Sequence, residues 1–255
     1  MRILELWRYP VKSLQGEQVD SVAVSADGLE GDRRFAIYDL GTGFGLTARR
    51  HPELLCASAR LQDDGMVDIT LPDGSQGRDD GALSAWLGRP VALRSMDADV
   101  RREYENPVDF EHERTSAWEP FSGTPGAFHD SPNARLSLVS TGTIGSWDRR
   151  RFRSNVLVDG EQEDALVGSR VGLGDAVVEF GMRIKRCVMT TRPQPGGIER
   201  DLQVLRTIAR ERDACLAVGA LVKVAGVVRV GDTLTQQAVV GSGRGNTAPG
   251  TGLQI

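Results

Sequence analysis

Turn signals cut the first 95 residues into pieces too short for anything but strands. Ala26-Asp27-Gly28, Gly41-Thr42-Gly43, Pro72-Asp73-Gly74 and Gly88-Arg89-Pro90 punctuate this stretch. Between them, apolar runs predict strands over Ile3–Trp7, Val19–Val24, Phe35–Tyr38, Met66–Leu71 and Val91–Arg94, with one helix over Gly81–Leu87. Strands recurring at roughly 8–12-residue intervals predict a barrel or a strongly bent sheet. Residues 96–130 are charged and carry Pro107, Pro120 and Pro125, which predicts an irregular connection, and connections of that length are usually functional or mobile. Order returns over 131–235. Strands are expected near Leu136–Val139 and Asn155–Val158, as a pair Ala176–Phe180 and Ile184–Met189 around Gly181, and over Val222–Val230. The clearest helix is Asp201–Arg210, with Asp201 as its cap and Leu202, Leu205 and Ile208 on one face. Residues 236–255 are rich in Gly, Ser and Thr and read as a flexible tail.

Charge and cysteine usage exclude several classes. Lys and Arg total 31 against 35 Asp and Glu, a formal charge of −4, so general nucleic-acid binding is disfavoured. No apolar run approaches the roughly 20 residues of a membrane helix, and the start, MRILELWRYP, has no signal-peptide pattern. The three cysteines (Cys56, Cys187, Cys215) form no CxxC pair. A reducing, cytoplasmic compartment is therefore expected rather than a disulfide framework. The three histidines are scattered, so no Cys/His zinc site is expected.

Against this acidic background stand three basic clusters: Tyr9-Pro10-Val11-Lys12-Ser13, Gly31-Asp32-Arg33-Arg34-Phe35 and Arg149-Arg150-Arg151-Phe152-Arg153-Ser154-Asn155. Each adjoins an apolar strand. Lys with Ser, and Arg with Asn, supply donors for phosphate oxygens or a polar heterocycle; solvated strand-end charge is the competing reading. Cys187 follows Arg183, Lys185 and Arg186, and flanking cations favour the thiolate, a nucleophile and soft metal ligand. An inert strand cysteine is the alternative. Cys56 and Cys215 lie among apolar neighbours and read as core residues. Ser140-Thr141-Gly142-Thr143 would place hydroxyls at a helix start, for an anion or for ordinary capping. His129 and Asp130 adjoin in sequence but would point apart on a strand, so they are not read as a catalytic pair.

Taken together these segments resemble the MOSC family, named for the C-terminal domain of molybdenum-cofactor sulfurase, with the β-barrel domain that often precedes it. The resemblance rests on YPVKSLQGE at 9–17, GLEGDRRFAIYD at 28–39 and LTARRHPEL at 46–54. It continues with LSLVSTGTI at 136–144, RRFRSNVLVDG at 150–160, GDAVVEF at 174–180, RCVMTT at 186–191 and VRVGD at 228–232. It implies a β-rich α/β protein: an N-terminal β-barrel-like domain over 1–95 packed on a MOSC-type β-barrel domain with a few helices over 131–235.

Among relatives the amidoxime-reducing proteins are the nearest in function. That implies a molybdenum cofactor of the molybdopterin type, small N-hydroxylated substrates and reduction to the N–H compound. Cys187 takes the position of the molybdenum ligand. Lys12, Ser13, Arg33, Arg153 and Asn155 map onto cofactor contacts. The doubled arginine brings in Arg34, the Ser/Thr turn Thr141 and Thr143, and the residue beside the cysteine Arg186. With no iron–sulfur domain in this chain, electrons would come from separate proteins. The family also includes members associated with pyridoxal phosphate enzymes. The alternative reading is thus a sulfur carrier holding a persulfide on Cys187 for a separate sulfurase. One departure bears on substrate preference: Thr191-Arg192-Pro193-Gln194 stands where many relatives place Val-Asp-Pro after the threonines.

Overall fold

The structure is a computed structural model that describes residues 1–110, 112, 113 and 115–236. Its strands are β1 (Ile3–Arg8), β2 (Glu17–Val19), β3 (Ser21–Ser25), β4 (Gly28–Leu29), β5 (Phe35–Asp39), β6 (Ser58–Leu61), β7 (Val67–Thr70), β8 (Val91–Ser95), β9 (Glu103–Pro107) and β10 (Trp118–Ser122). These are followed by β11 (Leu136–Ser140), β12 (Val156–Val158), β13 (Arg170–Leu173), β14 (Ala176–Lys185), β15 (Cys215–Val224), β16 (Gly226–Arg229) and β17 (Thr235–Gln236). The helices are α1 (Asp80–Leu87), α2 (Thr141–Ile144) and α3 (Leu202–Arg212). The β-rich, helix-poor architecture expected from the turn spacing is present.

Eight strands form the largest sheet, in the order β17-β13-β14-β15-β11-β12-β1-β2. β11 and β12 run parallel, and β1 lies antiparallel to β12 with Leu6 opposite Val156. The first two strands of the chain are therefore fastened to its second half. β3 is tied there as well, pairing with β16 from Ser21 to Val24. Its Val22 and Val24 alternate inward between exposed serines and alanine. They join Ile3, Leu6, Leu138, Val158 and Phe180 in one core. A second core fills the N-terminal barrel with Val11, Leu14, Ile37, Leu46, Leu54, Leu55, Ile69, Leu83 and Val91. Met189, from the far end of the chain, packs against this second core.

Local chemistry explains the helix boundaries. The Asp79 carboxylate accepts from Ala82 N at 2.8 Å at the start of α1, and Gly88 ends it with φ 65°. Asp201 caps α3 by accepting from Gln203 N at 2.8 Å.

Four expectations change. The buried face of α3 is Val204 and Ile208, spaced by four, while Leu202 is 40% exposed. Burying two such side chains contributes about 1.5–3 kcal/mol each. Gly181 is not a turn between two strands: β14 runs through it for ten residues beside an equally long β15. Register shifts at Phe180/Met182 and Arg183/Lys185 absorb the irregularity. The chain leaves the sheet after Lys185, and Val188–Thr191 form a 3-10 turn instead of strand. The stretch 96–130 contains a hairpin, β9 with β10, in which Tyr104 faces Phe121 with ring centroids 5.7 Å apart. The expected tail lies, from residue 237, outside the described residues.

Candidate active site

The Tyr9–Ser13 segment leaves β1 and lies alongside the start of β5. Phe35 N donates to Pro10 O at 2.9 Å and Lys12 N to Phe35 O at 2.8 Å. Asp32 fixes the other end, its Oδ1 accepting Tyr9 N at 2.7 Å, while Arg33 N donates to Tyr9 O at 2.7 Å. The first two basic clusters are thereby laced together. Ser13, Arg33 and Arg153 have φ of 70°, 51° and 51°. Side chains other than Gly avoid this left-handed region, at a cost of order 1–3 kcal/mol per residue. One such residue in each basic cluster is unusual, and surrounding bonds hold each in place. Ser13 Oγ accepts Ala48 N at 3.0 Å.

Tyr9 is the platform on which the cations meet. The Arg33 and Arg153 guanidiniums stand 5.3 and 4.4 Å from its ring centroid. Gly16 makes room: a Cβ there would lie 2.3 Å from Arg8 O and 2.6 Å from Tyr9 Cδ1. Arg33 also pairs with the buried Asp32, and Arg153 donates to Leu14 O. Burial lowers the Arg153 pKa to about 10, and the neighbouring Arg33 charge adds to the fall. Burial pulls Arg33 down too, but Asp32 and Asp130 outweigh it and leave Arg33 above its ordinary value. Lys12, 6% exposed, donates to Phe128 O at 3.1 Å and pairs with Asp130.

Arg186 completes the group. Its Nε donates to Leu216 O at 2.7 Å and its Nη1 to Phe152 O at 2.8 Å. Burial depresses its pKa to about 10, and Cys187 opposes that fall. Cys187 begins the Val188–Thr191 turn, and its carbonyl accepts Thr190 N and Oγ1 at 3.1 and 3.0 Å. Its side chain belongs to a half-buried residue. Arg151 pins the turn through Thr190 O at 3.2 Å. At Cys56, burial and then Glu53 push the thiol above its ordinary value.

Lys12, Arg33 and Arg153 thus act together on Asp130, and Arg186 is within electrostatic reach of both Arg33 and Cys187. Four other expected anchors do not aim their side chains there. Arg34 turns outward to Asp97 at 3.3 Å. Asn155, 1% exposed, is a suture: its Oδ1 accepts Ser137 N and Oγ, and its Nδ2 donates to Trp7 O at 3.2 Å. Thr141 Oγ1 donates to Gly160 O at 3.4 Å. Thr143 Oγ1 donates to the buried Glu163 at 2.7 Å, and Ser140 Oγ both donates to Glu163 and accepts Thr143 N as a helix cap.

Asp130 is the residue that the motif reading passed over. Its side chain is 85% exposed while it pairs with the buried Lys12. Confinement pushes its pKa up, but Lys12, Arg33 and Arg153 prevail and hold it well below the carboxylate range. His129 points away, with Nε2 donating to Asp27 O at 2.9 Å. Burial and Arg33 lower its pKa to about 4, so it is neutral at pH 7.

Two β-rich halves, joined by shared strands and carrying a group of basic side chains together with a half-buried cysteine, define the class: a barrel-pair protein. The chain belongs to the MOSC family. Residues 1–106 match the MOSC N-terminal beta barrel domain and residues 125–235 the MOSC domain. It is 26% identical to mitochondrial amidoxime reducing component 2 of Bos taurus, covering 78% of this chain and 68% of that protein. It is 27% identical to mitochondrial amidoxime-reducing component 1 of Mus musculus, over 82% and 71%. Among solved structures, the YuaD protein from Bacillus subtilis aligns over 91% of this chain and 93% of its own, at 11% identity and TM-score 0.42. No described helix is long and apolar enough to cross a membrane.

Proposed function

We propose that this protein is a molybdenum-cofactor-dependent reductase of small N-hydroxylated compounds, with Cys187 as the metal ligand. The observation that carries the reading is that Lys12, Arg33 and Arg153 act together on Asp130, while Arg186, next to that thiol in the chain, acts on both it and Arg33. Among the described residues Lys12, Arg33 and Arg153 face Asp32 and Asp130, and two of the guanidiniums repel each other across Tyr9. Such a cleft is stabilised by a multiply charged anion, and a pterin phosphate supplies one. The donor set fits: a soft sulfur for molybdenum, forked and point-charge donors for phosphate and heterocycle. The amidoxime-reducing relatives support the same class of substrate.

When bound, the cofactor supplies two-electron chemistry at its metal. In balance, an amidoxime takes two electrons and two protons, its N–O bond breaks, and amidine and water leave. The chain's own part is positioning. Lys12, Arg33 and Arg153 hold the anionic end, and Arg186 offsets negative charge at the Cys187 sulfur. Asn155 acts one step removed, by tying β1, β11 and β12 beneath the anchors. Asp130 is the acid that Lys12, Arg33 and Arg153 share, and held ionised it lends charge balance there. The electrons come from separate redox proteins, and the three free cysteines suit a reducing, cytoplasmic setting.

The test is elemental analysis of protein made in a host that synthesises molybdenum cofactor. About one molybdenum per chain, lost in Cys187→Ala, together with benzamidoxime reduction from an artificial donor, is the expected result. A persulfide on Cys187 with no metal would replace this reading by sulfur transfer.

A further inference from the structure

Between the Ser13 segment and the turn that follows Cys187 lies a set of charges that cofactor anchoring does not use. Glu113, on the loop joining β9 to β10, approaches Arg49: Oε1 and Nε are 3.5 Å apart, with the side chains 12% and 18% exposed. Arg49 follows Ala48, whose N–H is held by Ser13, and its Nη1 donates to Asn106 Oδ1 at 3.0 Å. Arg192 ends the Val188–Thr191 turn. Burial raises the Glu113 carboxyl, and Arg49 and then Arg192 pull against it, so both cations act on this one carboxylate.

The pairing is incomplete. Arg49 Nε, Glu113 Oε2 and Arg192 Nε are all buried with no hydrogen-bond partner among the described residues. Among the described residues the Arg192 guanidinium makes no ion pair within 4 Å, although its backbone carbonyl is pinned by Arg151 at 3.4 Å. Buried donors left unpaired are costly in a settled structure. Among the described residues, two guanidiniums against one misaligned carboxylate leave a net positive charge and free N–H groups. A planar carboxylate offers two oxygens to such forks. The same loop presents Phe110, 57% exposed, beneath the Arg49 guanidinium at 5.0 Å. An aromatic ring bearing the carboxylate has a surface to lie on.

We propose that Arg49 and Arg192 form a recognition site for the carboxylate of an aromatic N-hydroxylated substrate, with Glu113 as the group that the ligand displaces. This rests on the reductase reading and names its substrate class: anionic aromatic amidoximes, in preference to neutral ones.

Two measurements test it separately from that reading. In the first, the cofactor-loaded protein reduces 4-carboxybenzamidoxime and benzamidoxime with an artificial donor. The carboxylated compound is expected to show at least a tenfold higher kcat/KM, carried by KM. Arg192→Gln and Arg49→Gln should each cut that ratio about tenfold, whereas Glu113→Gln should raise it. Equal kcat/KM for the two compounds in the wild type, or an unchanged ratio in both arginine variants, overturns the proposal. In the second, calorimetry follows 4-amidinobenzoate binding to the full chain without cofactor. Binding that weakens about tenfold in Arg192→Gln supports the site, and absence of binding to the wild type overturns it. If neither amidoxime is reduced and no molybdenum is present, the reductase reading falls, and the calorimetry still decides the carboxylate site.

Discussion

Asp130→Asn isolates the electrostatics of the cleft. The change keeps the shape of the side chain and removes the charge that faces Lys12, Arg33 and Arg153 together. One ion pair at about 4 Å is worth roughly 4 kcal/mol at an effective dielectric of about 20. Asp130 is 85% exposed, so screening by water reduces the loss to about 1–2 kcal/mol. At about 2–4 °C per kcal/mol for a chain of this size, the melting temperature should fall by about 2–8 °C at pH 7. The pH dependence follows from the direction of the shift. The carboxyl is held below its unfolded value, so its contribution is full above about pH 4 and is lost as the pH falls through the folded value. Urea midpoints of cofactor-free wild type and variant at low salt should differ equally at pH 7.5 and 5.5. The gap should narrow below about pH 4. Lys12→Met, alone and combined with Asp130→Asn, closes a double-mutant cycle in which the paired loss is smaller than the sum. Wild-type stability for Asp130→Asn at pH 7 and low salt would refute the reasoning, as would a gap that persists unchanged to pH 3.

Gly16→Ala should destabilise the cofactor-free protein by about 1–3 kcal/mol, because the added Cβ meets Arg8 O and the Tyr9 ring. Molybdenum content per chain should fall with it, since Tyr9 carries two anchors; normal loading by metal analysis would contradict this. Asn155→Ala should cost about 2–3 kcal/mol even without cofactor, because it leaves Ser137 N and Trp7 O without their partner. Chemical denaturation reads that directly, and full stability combined with lost loading would instead make Asn155 a direct cofactor contact. The activity of a loaded enzyme should show no inflection from His129 between pH 5 and 8, since that ring is neutral down to about pH 4. A pH–rate step in that range that disappears in His129→Gln would disprove its purely structural part.

Residue types in the motifs were informative about chemistry, and less so about direction. Lys12, Arg33 and Arg153 read from their segments as donors, and the fold gathers them around Asp130 and Tyr9. Asn155 and Thr143 carry equally suitable groups, but a strand's pleat and a helix cap turn them to Ser137 and Glu163. No local pattern announces which face a polar side chain takes beside a bulge. The His129–Asp130 pair does diverge, as alternation along an extended chain demands. What alternation could not convey is that Asp130 meets a lysine 118 residues away in sequence. Gly181 shows the same limit: a glycine between apolar runs suits a turn or a bulge, and only the length of β15 decides. In α3 the leucine spacing of three competed with Val204 and Ile208 at four, and contact with Phe152 and Leu216 selected the second. The β9–β10 hairpin was hidden because its rings are set among charges and prolines.

Because β1 pairs with β12, and β3 with β16, the order in which the chain is synthesised works against its assembly. A ribosome must deliver residue 158 before β1, already beside β2, finds its second neighbour, and residue 229 before β3, already beside β4, does. Until then the nascent amino-terminal segment carries open strand edges and an unsealed apolar face. Chaperone occupancy during translation, and insolubility of products truncated before residue 156, are the cellular signature to look for.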